Sequence, residues 1–220
     1  MKVKFDTVKA HQRYKLADGT SVPGGSTIAK LATANESQGA LIHWAWKLGQ
    51  DGIDYKKSRD KAADAGSVAH FLIECHLKGD EPDLSGVSKD IQDKAENAVI
   101  KFLSWWDKSG YKAIACEREA VSEEYKFGGT LDILAEKDGT VALIDLKTSS
   151  GIYLAHWVQV AGYALLCQED VKSVVICRIG REEDMSDFEV QERVDITAER
   201  EVFLTGVQLY YDLKACNRKR

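Results

Sequence analysis

The order of patterns along this chain predicts an α/β fold whose N-terminal half is mostly helical. Three observations carry that prediction. From residue 37 to 109 apolar residues recur at helical spacing. Past Gly110 three short runs with strand character follow one another, over 112–122, 127–136 and 140–147. The remainder alternates helix, strand, weaker strand and helix, which is an α/β arrangement rather than a bundle or a sandwich.

Taken in order, Arg13 to Val22 reads as the body of a hairpin spanning 11–23, with Ala17-Asp18-Gly19-Thr20 as its turn. Gly24-Gly25-Ser26-Thr27 supplies a loop and a capping residue for a helix from about Ile28. Leu41, Trp44, Ala45 and Leu48 mark one helical stripe, and Val68, Phe71, Leu72 and Cys75 another. Gly79 to Gly86 breaks the pattern, and a further helix over about 88–108 turns Ile91, Ala95, Val99 and Leu103 inward. Lys137-Asp138-Gly139-Thr140 is a tight turn between the second and third strands. A helix at about 153–168, a strand at 172–180, a weaker strand near 187–194 and a helix at about 197–215 complete the order.

The totals suit a globular chain: 220 residues, 44% hydrophobic, 30% charged, 17 Gly and 2 Pro. A single domain over 1–220 is expected, with 1–110 a hairpin plus a mainly helical part and 111–220 forming the α/β core. No apolar run approaches the roughly 18–20 residues that span a bilayer, and the first residues lack the apolar stretch of a signal peptide. A cytoplasmic protein is therefore expected. Cys75, Cys116, Cys167, Cys177 and Cys216 form no CxxC pair, so neither a disulfide framework nor a zinc knuckle follows. The net charge of −5 does not favour nucleic acid, although uneven charge weakens that argument. The basic runs Lys56, Lys57, Arg59, Lys61 and Lys214, Arg218, Lys219, Arg220 read as solvated faces.

The chemistry gathers on two strands. Asp-x-Lys occurs four times, but only Asp145/Lys147 ends an apolar strand, Val141-Ala142-Leu143-Ile144. Residues i and i+2 of a strand share a side, so both groups face one pocket. Asp132, between Leu131 and Ile133, lies on the strand that the tight turn pairs with this one. A carboxylate among such neighbours is costly to bury unless a cation or metal accompanies it. Two readings stay open: a metal-binding pair of aspartates, or a structural Asp132–Lys147 ion pair with Asp145 capping a turn.

Four segments resemble, in order, the motifs of the PD-(D/E)XK nuclease superfamily, in particular its RecB-like and phage-exonuclease branch. Ala65-Gly66-Ser67-Val68-Ala69-His70-Phe71-Leu72-Ile73-Glu74 is similar to the helical histidine motif, and Gly129-Thr130-Leu131-Asp132 to the G-x-x-D strand. Ile144-Asp145-Leu146-Lys147-Thr148 is similar to the D-x-K strand, and Gln159-Val160-Ala161-Gly162-Tyr163 to the Q-x-x-x-Y helix. The resemblance implies a restriction-endonuclease-like core, a central mixed sheet flanked by helices, with the N-terminal helices as one wall of a cleft. It implies Mg²⁺ or Mn²⁺ held by His70, Asp132, Asp145 and the Leu146 carbonyl. Lys147 would steady the attacking water or the charge on the scissile phosphate, and Gln159 and Tyr163, on one helical face, would organise the site or contact the nucleic-acid backbone. Glu74 would orient His70 or face solvent. Glu117 and Glu119, on the first strand, are additional acids that stand outside this expected ligand set. Cys216 alone stands near the C-terminus, so no iron–sulfur cluster is expected.

The function so implied is a DNA exonuclease leaving 5′-phosphates, acting on ends or single strands in recombination, repair or phage DNA metabolism, with a recombination partner protein and no membrane. A structure-specific endonuclease and a non-catalytic nucleic-acid-binding protein of the same fold are the alternatives. Tyr14, Trp44, Trp46, Trp105 and Trp106 include candidates for stacking on unpaired bases.

Overall fold

A computed structural model describes residues 1–5, 14–181 and 184–217, apart from the side chains of residues 37, 38, 40, 41 and 185. Residues 11–13 of the expected hairpin and the basic residues 218–220 lie outside the described residues. The elements are β1 (Lys2–Lys4), β2 (Tyr14–Lys15), β3 (Ser21–Val22), α1 (Gly25–Ala32), α2 (Ala34–Gln50), α3 (Tyr55–Lys78), β4 (Glu81–Asp83), α4 (Lys89–Ser109) and β5 (Lys112–Ser122). There follow β6 (Phe127–Lys137), β7 (Thr140–Lys147), α5 (Leu154–Ala164), β8 (Val171–Ile179), β9 (Phe188–Arg193) and α6 (Thr197–Asn217).

The core is one five-stranded mixed sheet in the order β5-β6-β7-β8-β9. Every neighbouring pair is antiparallel except β7 and β8, which run parallel because α5 carries the chain back across the sheet. The β6–β7 turn places Asp138 at φ 50° and Gly139 at φ 76°, both left-handed as a twist-matched two-residue hairpin requires. Helices cover both faces of the sheet, as the sequence predicted. On one face Leu131, Leu134, Leu143 and Ile176 pack against α1, α5 and α6. On the other, Ile133, Ile144, Val175 and Cys177 pack against Val68 and Ile73 of α3 and Phe102 of α4. Fully burying side chains such as Phe102, Phe127 and Phe203 contributes roughly 1.5–3 kcal/mol each.

Some expectations need correction. Helix α1 begins at Gly25 with Gly24 as its cap, so Ser26 and Thr27 lie in its first turn and do not cap it. Helix α5 stops at Ala164, four residues early. The parallel pair of β1 with β4 was not anticipated, being three residues long with a proline in one partner. Among the described residues no helix is long and apolar enough to cross a membrane.

Candidate metal centre

Three acids stand in a row across three strands. The β5–β6 ladder pairs Cys116 with Ile133 and Arg118 with Leu131, and skips the Glu117/Asp132 pair that lies between them in register. The β6–β7 ladder ends at Ile133/Ile144, where one more step would set Asp132 opposite Asp145. Both ladders open at Asp132. Its Oδ2 accepts the Leu146 N–H at 2.7 Å, so a side chain takes over where strand pairing stops. Glu117 marks the other opening with φ 50°, a left-handed conformation unusual for a non-glycine residue inside a strand.

Helix α3 completes the group with His70. The helix comes close to the end of β7 because residue 66 is glycine; a Cβ there would lie 2.6 Å from Thr148 Oγ1. His70 Nδ1 then stands 3.6 Å from Asp132 Oδ1 and 3.7 Å from Glu117 Oε1. Ligand atoms of His70, Glu117 and Asp132 all lie within 4.8 Å of one another. Burial opposes a charge on His70, yet Asp132 and then Glu117 push its pKa up to about 10. Burial likewise works to raise the Asp132 carboxyl, but His70, Lys147 and the Leu146 N–H together hold it below its ordinary value. These acids draw positive charge to one point.

Asp145 does not join this trio. It is 2% exposed, and Lys147 Nζ lies 2.5 Å from its Oδ2. Both Asp145 oxygens are buried, and this ammonium is the one cation in contact with them among the described residues. Burial pushes the Asp145 carboxyl up to about 6 despite the lysine beside it. The structural alternative of an Asp132–Lys147 ion pair is thus not what forms: Lys147 is with Asp145, and Asp132 is with His70 and the Leu146 N–H.

Helix α5 faces the same acids from the other side of the sheet. Tyr163 is raised first by burial and then by the charges of Asp145 and Asp132, with the nearby Gln159 side chain opposing the rise. The Tyr163 ring lies against Gly25 and Gly129, where a Cβ would approach its Cε1 to 2.6 and 2.5 Å. His156, passed over in the sequence, accepts the Tyr153 N–H at Nδ1 (3.2 Å), and burial and then Lys147 push it down to about 4. The signal for it was its position three residues into the helix.

A cleft of roughly 850 Å³ opens over the centre, lined by His70, Glu117, Asp132, Leu146, Lys147 and, from beyond β8, Arg181. Other expected residues do not join the trio. Glu74 pairs with Lys78 at 2.6 Å rather than orienting His70, and Glu119 is exposed. Tyr14 bonds Thr130 through its hydroxyl at 3.0 Å. Trp105 and Trp106 are half-buried and pack on Phe102 and Tyr111 against the core, which engages their rings. Trp44 and Trp46 of α2 are 37% and 59% exposed. His11 lies outside the described residues, and His43 and His76 are exposed.

One imidazole nitrogen and carboxylate oxygens from two strands, with a further buried carboxylate alongside, are a donor set that fits a divalent cation. A sequence profile described as the PD-(D/E)XK nuclease superfamily matches residues 12–211. No match is found among curated proteins. Among solved structures, the crystal structure of SSO0001 aligns at 16% identity with a TM-score of 0.35, over 54% of this chain and 59% of that one. The chain therefore spans less than two thirds of that protein's length.

Proposed function

The chain belongs to the PD-(D/E)XK nuclease superfamily, and from that premise we propose that it is a metal-dependent DNA exonuclease that leaves 5′-phosphates. The observation that carries the reading is the His70/Glu117/Asp132 trio on one cleft with Lys147, whose amine is held by the buried Asp145 behind it. His70, Glu117 and Asp132 hold the cation, with Asp145 and the Leu146 carbonyl as the further ligands that the family pattern implies. Mg²⁺ or Mn²⁺ suits a set dominated by oxygen, and the imidazole favours Mn²⁺.

When bound, such a cation neutralises charge on the phosphodiester and makes water a better nucleophile. The chain's own groups supply the rest. Lys147, held beside Asp145, sets a positive charge next to the scissile phosphate. The Leu146 N–H fixes the Asp132 carboxylate in one orientation before substrate arrives. Gln159 and Tyr163 buttress the acids from α5, and Tyr163 keeps its proton because burial disfavours the phenolate. Trp44 and Trp46, exposed on α2, stack on unpaired bases and so favour ends and single strands, as recombination, repair or phage DNA metabolism requires. Residues 1–220 work as one nuclease domain.

End-labelled linear DNA and closed-circular DNA, each incubated with Mg²⁺, Mn²⁺ or EDTA, test this. Loss of linear DNA alone, abolished by EDTA, is expected, with 5′-phosphorylated products. Nicked circles would identify an endonuclease, and binding without any cleavage would overturn the enzymatic reading.

A further inference from the structure

We propose that Arg181 binds a backbone phosphate of the substrate strand in the cleft, away from the scissile phosphate; the inference rests on the nuclease reading above. Arg181 follows β8 and lines the cleft that also holds His70, Asp132 and Lys147. The lysines near the centre are already engaged: Lys147 with Asp145 and Lys78 with Glu74. Among the described residues no carboxylate pairs with Arg181, and its one side-chain hydrogen bond runs from Nη1 to the Ala62 carbonyl of α3 at 2.8 Å. Lys4 also lines the cleft outside an ion pair, but among the described residues no hydrogen bond fixes its side chain.

The position of Arg181 is fixed from three directions. Its carbonyl accepts from Asn97 Nδ2 of α4 at 3.3 Å, so both flanking helices hold this one residue. The carbonyl of Gly180, one residue before it, accepts from the buried Lys101 at 3.3 Å, and Lys101 also pairs with Asp187. A guanidinium carries five N–H donors in a planar fork. One spent on Ala62 orients the plane and leaves donors for the two oxygens of a phosphate. An arginine ordered beforehand loses less freedom on binding than a mobile one. Asp64, Glu74 and Asp80 also line the cleft beyond the metal centre, so a fixed guanidinium there offsets part of the repulsion a phosphate would meet.

The test measures cleavage of a synthetic DNA by wild type, R181A and R181K across a KCl series, with folding checked by thermal melts. Removal of a phosphate contact is expected to raise KM about tenfold or more, leave kcat at saturation near wild type, and lower the slope of log KM against log salt by about one. R181K should retain the slope. A residue that only anchored the loop would lower kcat or the melting temperature and leave the slope alone. A scan of single methylphosphonate substitutions locates the contact: one neutralised position should weaken wild type and leave R181A indifferent. If R181A does not fold, R181Q, which can still donate to Ala62, is scanned instead. An unchanged slope, or scans that coincide for wild type and the neutral variant, would overturn the proposal. Wild type that neither binds nor cuts DNA would instead sink the nuclease reading itself.

Discussion

The Asp132 carboxylate accepts the Leu146 N–H at 2.7 Å, one step past the last paired residues of β6 and β7. One oxygen of this side chain thus substitutes for strand pairing while the other faces His70. The two duties separate by substitution. Asp132→Asn keeps an acceptor for the amide and should melt close to wild type, while metal affinity and cleavage fall by at least about 10–100-fold. Asp132→Ala should lose activity and also about 1–3 kcal/mol of stability, because the buried N–H is left unpaired. Calorimetric Mn²⁺ titration and thermal melts on both variants check this; equal melting temperatures for the two would refute it.

Asp145 gives a pH signature. Its folded pKa, about 6, lies above its ordinary 3.8, so the folded state binds the proton more tightly than the unfolded chain. Its contribution to stability is therefore full below about pH 4 and is lost as pH rises through 6. Measured in EDTA, the stability of wild type relative to Asp145→Asn should fall by about 3 kcal/mol between about pH 4 and pH 8. Parallel denaturation curves across that range would show that burial does not perturb this carboxyl.

Gly129 makes room for the residue that buttresses the acids. A Cβ there would meet Tyr163 Cε1 at 2.5 Å and Leu166 Cδ1 at 3.1 Å. Gly129→Ala should destabilise by about 1–3 kcal/mol through overpacking. In a Tyr163→Ala background the same change should cost less than half as much, since the clash has been removed; a full double-mutant cycle of melts reads the coupling.

Trp46 and Trp105 should respond oppositely. Trp46→Ala, at a side chain 59% exposed, is expected to weaken single-stranded DNA binding by about 1–3 kcal/mol per lost stack while stability shifts by less than about 0.5 kcal/mol. Trp105→Ala removes a ring packed on Phe102 and Tyr111 and should lose stability without a selective loss of binding. Fluorescence anisotropy on single-stranded and duplex DNA distinguishes them.

What could be read in advance followed from local physics. The β6–β7 hairpin was legible because its turn residues and flanking apolar runs lie within a few positions of one another. That Asp145 and Lys147 share a side was legible because strand periodicity alone puts i and i+2 together; that they pair with each other, and not Lys147 with Asp132, was not. Glu117 was underweighted because the sign of its φ leaves no mark in sequence, and its role depends on a ladder opening that only the assembled sheet displays. The β1–β4 pair joins segments some 79 positions apart and three residues long, too short for a periodic signal. Glu74 has two partners within one helical turn, His70 and Lys78, and spacing alone does not choose between them; the lysine wins. Trp105 and Trp106 were ambiguous because an aromatic stripe serves a core or a ligand equally well until the neighbouring strand is in place.

Holding Glu117 at φ 50° inside β5 works against the fold. A non-glycine residue in that conformation costs of order 1–3 kcal/mol, and glycine adopts it freely. Glu117→Gly should accordingly yield a sturdier protein by chemical denaturation that has lost its grip on the cation. Robustness and competence would pull in opposite directions at a single backbone torsion.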